Sequence, residues 1–459
     1  MAGRIRASYA ILAIAGLLSI GGAAPVTAEN SSSQSVQEAE TSDAGAFSFF
    51  PADRTLTHAE DGVVMPDGRL LVGDWDHGLV TLDQDGTKRP FGDFAAAGFR
   101  TRPDPQWNSP NGISFEPDGR HVLVADITGG HIYRVDTQTE EVVRIYDHPF
   151  GVNAVVRDLS GAIWFTQSTE NAAGANSEAR MFAAADKPLG DGSVWRIAAE
   201  ELGNPEPKAV KVVDGLDFAN GIVFDAARGR LYVNEIVASR ILSFAVDQAT
   251  GALTDRRVLA ALPTPDNIEL DVNGDLWVTS PFANAVYKVD PDTGDRQTIF
   301  APTPEVSGQI VNEFYRRLDS GEPILSLLGP DMWGSMPGLM TGIILGPDGT
   351  VYISGLGNAL VRLRTKTGSS AASRNDNAET EIRAAIAAWH SCFRRDPEIR
   401  PVCSRRRVNF AATPRCCGAG LVAAGLSLRM SRIEPRKVAI TLAAGGGLRL
   451  NLREENQPC

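Results

Sequence analysis

The residues best suited to chemistry recur at one place in a repeat. Just ahead of successive β-rich stretches stand Glu60, Asn111, Asn153, Asn220, the pair Asp266 and Asn267, and Thr341. Each side chain offers an oxygen, and no His or Cys is among them. Hard cations take about six to eight oxygen ligands, whereas softer metals choose imidazole or thiolate, so the set points to calcium. Glu60 and Asp266 would balance a divalent charge, and the amide carbonyls of Asn153, Asn220 and Asn267 would complete the shell without adding to it. A cation so held polarises a carbonyl oxygen, and Asp266 would act on water as general base or attack directly. Taken alone, Asn111-Gly112 or Asn220-Gly221 reads as a turn. Recurrence ahead of the first strand, with the hairpin punctuation falling later, favours a ligand role.

The elements that must position these residues repeat six times between Glu60 and Leu363, with starts near Gly62, Gly112, Ala154, Gly221, Ile268 and Gly342. Each unit alternates short strands with tight turns such as Pro66-Asp67-Gly68, Pro117-Asp118-Gly119, Asn273-Gly274 and Pro347-Asp348-Gly349. Stretches such as Leu231-Tyr232-Val233 and Leu276-Trp277-Val278-Thr279 are rich in strand formers and lack helical period. Six such units predict an all-β, six-bladed β-propeller, whose radial symmetry carries the oxygen-bearing residues to one axis. A β-sandwich would not repeat one signature in this way. Phe47 to Phe50 is placed to supply the outer strand of the last blade.

Two units are overlong, with insertions over 167–192 and 301–340, where loops acquire a job. In the second, Val311, Phe314, Tyr315 and Leu318 sit at helical spacing, for a helix that either lids the pore or packs on the rim. Trp75, Trp164, Trp195 and Trp277 are expected to pack between blades. Trp107 and Trp333, on pore-side loops, are expected to line a substrate pocket with Asn111 and Thr341. None of the six histidines is assigned a catalytic role.

The ends of the chain differ from the body. Arg4 and Arg6, the apolar run from Ala10 to Ile20 and the small residues Val26-Thr27-Ala28 read as a signal peptide over 1–28, which implies export to the periplasm or secretion. Residues 29–46 form a polar linker, 47–365 the propeller and 366–380 a second linker. The tail, 381–459, opens with one amphipathic helix through Ile382, Ile386, Trp389 and Phe393. From Pro397 on it lacks strand or helix period and is expected to be poorly ordered, as a frameshifted or truncated domain would be. All five cysteines lie in this tail, from Cys392 to Cys459, so the body cannot use thiolate chemistry. The net charge of -12 excludes a nucleic-acid partner. Nothing after the signal peptide reads as a membrane span, and a monomer acting on a small molecule is expected.

The strings "SPNGISFEPDG", "FANGIVFD" and "PDNIELDVNGDLWVT" resemble the senescence-marker-protein/gluconolactonase family, which includes regucalcin, and the related paraoxonase and strictosidine-synthase-like propellers. The resemblance covers about Glu60 to Leu363 and implies a calcium-dependent hydrolase of lactones or related esters. It matches Glu60, Asn153, Asn220 and Asp266 to the family's metal ligands, Asn267 to the paraoxonase-like Asp-Asn pair and Asn111 to a substrate-contacting amide. Two features depart from the pattern. Asn111 stands where paraoxonase-like members have a catalytic His, and Ser109 where gluconolactonase-like members have an Arg, for which Arg100 or Arg102 on the same loop could substitute. Two other readings stay open: a strictosidine-synthase-like propeller that needs no metal, and a binding propeller that calcium only stabilises.

Overall fold

The computed structural model describes residues 47–247 and 249–364, together with the strands Val438–Leu442 and Leu448–Leu452. The first group forms six four-stranded antiparallel sheets, the blades. Blade 1 runs from Gly62 to Pro90, blade 2 from Pro110 to Asp147, blade 3 from Val155 to Leu216, blade 4 from Ala219 to Ala261, and blade 5 from Ile268 to Phe300. Blade 6 takes three strands from Met340 to Arg364 and its outermost from the other end of the chain. Ser48–Phe50 pairs antiparallel with Leu360–Arg364, Phe50 opposite Leu360, and this closes the ring.

The period of a strand decides where the core sits. Alternate side chains leave opposite faces of a blade, so a strand paired on both edges within its blade is apolar on both faces. Val122 and Val124 face blade 1, joining Leu71, Leu79 and Phe91, whereas Leu123 and Ala125 face blade 3, joining Val155, Ile163 and Phe165. Four further clusters fill the remaining blade interfaces in the same way. Trp164, Trp195 and Trp277 pack in these interfaces as expected. Trp333 does too: it packs against the cluster of Trp277, Met336 and Met340 between blades 5 and 6, so the expectation that it lines the pocket is corrected.

The turns carry their glycines at positive φ, at Gly68 (φ 86°), Gly119 (φ 66°), Gly274 (φ 85°) and Gly349 (φ 79°). Both insertions leave the blades as helix. In the first, α1 is Ser177–Ala185, and in the second, α2 is Pro304–Ser320 and α3 is Pro330–Trp333. The wholly buried Phe314 of α2 packs at 5.1 Å on Phe282, in a cluster with Ala184 and Met181 of α1 and with Ile324, Leu327 and Leu328. The Asp186 carboxylate accepts from the amide of Leu325 at 2.7 Å, so the two insertions form one cap.

The chain divides after Thr365. Beyond it, Val438–Leu442 and Leu448–Leu452 pair as an antiparallel hairpin, a correction to the absence of any strand period in the sequence there. The expected signal peptide, both linkers and the tail helix lie outside the described residues, among which no helix is long and apolar enough to cross a membrane.

Candidate active site

Glu60, Asn111, Asn153, Asn220, Asp266 and Thr341 all line one cavity of about 140 Å³. Each is 1–5 % exposed. Alternate blades deliver them differently. Glu60, Asn153 and Asp266 stand two residues ahead of the inner strands of blades 1, 3 and 5. Asn111, Asn220 and Thr341 are the second residues of the longer inner strands of blades 2, 4 and 6, where the pairing register shifts. The glycine that follows each has no positive φ. It is there for space: a Cβ on Gly112 would stand 2.6 Å from the Ala154 Cα, on Gly221 2.6 Å from the Asp266 carbonyl, and on Gly342 2.2 Å from the Glu60 carbonyl. Asn-Gly marks a close approach between blades, and not a turn.

Neighbouring blades hold the backbone of these residues by side-chain hydrogen bonds. The Thr166 hydroxyl donates to the Asn220 carbonyl at 2.6 Å, the Asn234 amide to the Asp266 carbonyl at 2.6 Å and the Asn111 amide to the Asn153 carbonyl at 3.0 Å. Thr279 donates to the carbonyl of Thr341 in the same way. With the backbone fixed, the side chains are free to face the cavity. The Asn153 amide donates to Ser168 Oγ at 3.0 Å, which leaves its Oδ1 toward Asn111.

Glu60 Oε2, Asn220 Oδ1, Asp266 Oδ1 and Thr341 Oγ1 are buried without a hydrogen-bond partner. Buried polar atoms are rarely left so, and four lining the same cavity mark a place for a missing partner. All are oxygens, two of them carboxylate, and the set fits a hard divalent cation. Asn267 is buried with both amide atoms unpaired, but it does not line the cavity; its Nδ2 would stand 3.0 Å from a Cβ on Gly342.

The electrostatics agree. Burial pushes Glu60 up to about 7, eased by the nearby Thr341 hydroxyl. Burial likewise raises Asp266 well above the carboxylate range; the charge of Glu60 adds to this and the Asn220 amide opposes it. Asp61 is raised by burial and then by Glu269, itself pushed up to about 8 by burial. Among the described residues no Lys or Arg pairs with Glu60 or Asp266; the one basic group beside them is His58, whose Nε2 lies 3.6 Å from Glu60 Oε2. Burial, helped by Arg102, lowers His58 to about 3, so it stays neutral.

His58 lines the cavity and stacks on Trp75 at 3.8 Å, although the sequence alone assigns no histidine a role. It has φ 59°, and Phe218 and Thr264, which also line the cavity, have φ 63° and 41°. These stand two residues ahead of Glu60, Asn220 and Asp266. Left-handed backbone at such residues costs about 1–3 kcal/mol each and clusters at functional sites. Trp75 is a further correction: expected between blades, it lines the cavity with Trp107, its Nε1 donating to Ser109 Oγ at 2.8 Å. The Arg102 guanidinium lies 4.2 Å from the Trp75 ring and 3.9 Å from that of Trp107, and pairs with Glu178 of α1 at 2.8 Å. Arg100 bonds Gln106, and neither arginine lines the cavity.

A second cluster, Glu116, Asp118 and His121, has metal-ligand types. Glu116 is already bound by Arg134 at 2.9 Å and by Arg157 at 2.9 Å, so this is an ion-pair network with its charge met.

Fold and site together define a six-bladed propeller with an oxygen-lined cavity. Residues 141–310 match the SMP-30/Gluconolactonase/LRE-like region. The chain is 26% identical to the pentonolactonase of Haloferax volcanii over 201 residues, which is 43% of this chain and only 60% of that protein's length. It is 26% identical to the regucalcin of Xenopus laevis over 221 residues, 39% of this chain and 71% of that one. A solved gluconolactonase from Xanthomonas campestris aligns with 68% of this chain and 87% of its own, at 20% identity and a TM-score of 0.46.

Proposed function

We propose that the protein is an exported, calcium-dependent hydrolase that opens lactones at the central cavity. One observation carries this reading: the unpaired oxygens of Glu60, Asn220, Asp266 and Thr341 share a cavity in which two buried carboxylates meet no Lys or Arg among the described residues. Lactone opening is suggested by the pentonolactonase and regucalcin relatives, and export by the leader sequence.

Glu60, Asn153, Asn220 and Asp266 would hold the cation, with Asn267 behind them. The cation they would hold would supply positive charge beside the substrate's carbonyl oxygen. The rest is the work of side chains. Asp266 takes a proton from the water that attacks the carbonyl carbon; the ring C–O bond then breaks, and that proton passes to the departing alkoxide to give a hydroxy acid. Asn111 orients the substrate from blade 2. His58, held neutral, accepts a hydrogen bond from the same water without competing for its proton. The cap keeps bulk water out, which strengthens each polar contact.

Metal analysis of the purified protein, with hydrolysis of a lactone panel with and without chelator, tests the reading. Stoichiometric calcium and chelator-sensitive turnover are expected. Turnover that chelation leaves intact would favour a metal-independent propeller, and bound calcium without turnover a binding propeller.

A further inference from the structure

We infer that the cavity selects lactones bearing an apolar alkyl or aryl substituent over hydroxyl-rich sugar lactones, an inference that rests on the hydrolytic reading above. Apart from the oxygens proposed to hold the cation and the Asn111 and His58 side chains beside them, the polar groups on its walls are already engaged. Ser109 Oγ accepts from Trp75 Nε1 at 2.8 Å, the Thr128 hydroxyl donates to the Trp107 carbonyl at 2.8 Å and Thr264 Oγ1 accepts from the amide of Phe282 at 3.2 Å. Glu178 is tied to Arg102 at 2.8 Å. What the cap and upper blade loops offer a substrate is Met181, Phe182, Phe218, Ile236, Phe282 and Leu328.

A sugar lactone carries a hydroxyl on nearly every ring carbon. Those that face the cap and the upper loops would leave water and find no partner there, which opposes binding. A hydrocarbon substituent gains by the same move. The mouth shows the same preference, because Phe182 lines the cavity yet is 43% exposed. An apolar ring that borders both solvent and cavity is placed to cover a substituent as it enters.

The test is kcat/KM of the full chain with calcium on δ-valerolactone, δ-octalactone, δ-decalactone and glucono-δ-lactone. Values should rise about fourfold per added methylene until the cavity fills, with gluconolactone far below the alkyl lactones. Titration with the corresponding δ-lactams, which resist hydrolysis, reads the same selectivity as binding. Phe182→Ser, at a half-exposed position outside the buried core, should flatten the chain-length dependence in both assays. A flat series, or preference for gluconolactone, overturns the inference while leaving hydrolysis standing. Chain-length-dependent lactam binding without turnover of any lactone upholds it and removes the hydrolytic reading alone.

Discussion

The hydroxyl of Ser354 donates to the backbone carbonyl of Glu60 at 2.8 Å, so the last blade of the ring fixes the first residue of the site. The same bond type recurs from Thr166 to Asn220 and from Asn234 to Asp266. Closing the propeller and building the site are therefore one event. Ser354→Ala strands a buried carbonyl, a loss of about 1–3 kcal/mol. The expected result is a lower melting temperature and calcium affinity weaker by about threefold to tenfold, read by calorimetry. Unchanged affinity would show that the bond serves stability alone.

Asp266→Asn removes a proton acceptor and keeps an oxygen in nearly the same place. Hydrolysis is expected to fall by about a hundredfold or more while calcium still binds, though more weakly. Titration of the variant with calcium beside its rate on one lactone separates the two effects. Full activity with calcium bound would take Asp266 out of the chemistry.

How much of this was legible depends on what symmetry can carry. Radial repetition made Glu60, Asn111, Asn153, Asn220, Asp266 and Thr341 equivalent in sequence, and the structure gathers these six around one cavity. Side chains outside the repeat had no such guide. Trp333 and Trp107 both lie beyond the strands, one ending α3 and the other on a loop, and the first packs between blades whereas the second lines the cavity, because insertions and loops are not bound by the repeat. His58 was hidden for another reason. Its place depends on a φ of 59°, which residue type does not announce. The insertion that contains α1 was visible as excess length, but nine residues rich in Ala gave too little contrast to show which face Met181 and Phe182 present.

Calcium and protons should compete for the same oxygens. In chelator, Glu60 titrates near 7 in the fold against an ordinary 4.5, so the folded state binds the proton more tightly than the unfolded chain. The contribution of Glu60 to the stability of the metal-free protein is therefore full below about pH 4.5 and is lost as pH rises through about 7, a loss of roughly 3 kcal/mol. Saturating calcium should abolish that decline. Unfolding of the wild type and of Glu60→Gln in denaturant at pH 5 and pH 8, with and without calcium, isolates it from the histidines; a metal-free wild type whose pH dependence matches that of the variant would contradict the assignment.

His148 gives a pH response of opposite sign away from the site. It is buried against Phe165 and Trp195, its Nε2 bonded to Gln167 at 3.0 Å, and burial lowers it to about 4. The fold prefers the neutral ring, so this contribution is complete above about pH 6.5 and is lost as pH falls toward 4. The amount is about 3 kcal/mol. His148→Gln should remove that acid-side loss without altering calcium affinity, as followed by denaturant unfolding across the same range.

Two glycines in blade 2 separate the two meanings of the Gly signal. Gly119 closes a hairpin at φ 66° with nothing within 4 Å of where a Cβ would stand, so Gly119→Ala meets only conformational strain, about 1 kcal/mol. Gly112 has ordinary backbone, but a Cβ there would stand 2.6 Å from the Ala154 Cα and 3.0 Å from the Asn153 carbonyl oxygen. Neither backbone atom can move without shifting Asn153 in the cavity wall. Gly112→Ala should therefore cost about 1–3 kcal/mol or more and weaken calcium binding as well, whereas Gly119→Ala should leave calcium binding unchanged. Parallel melts and calcium titrations decide it: if both variants lose only stability, blade spacing does not set the site.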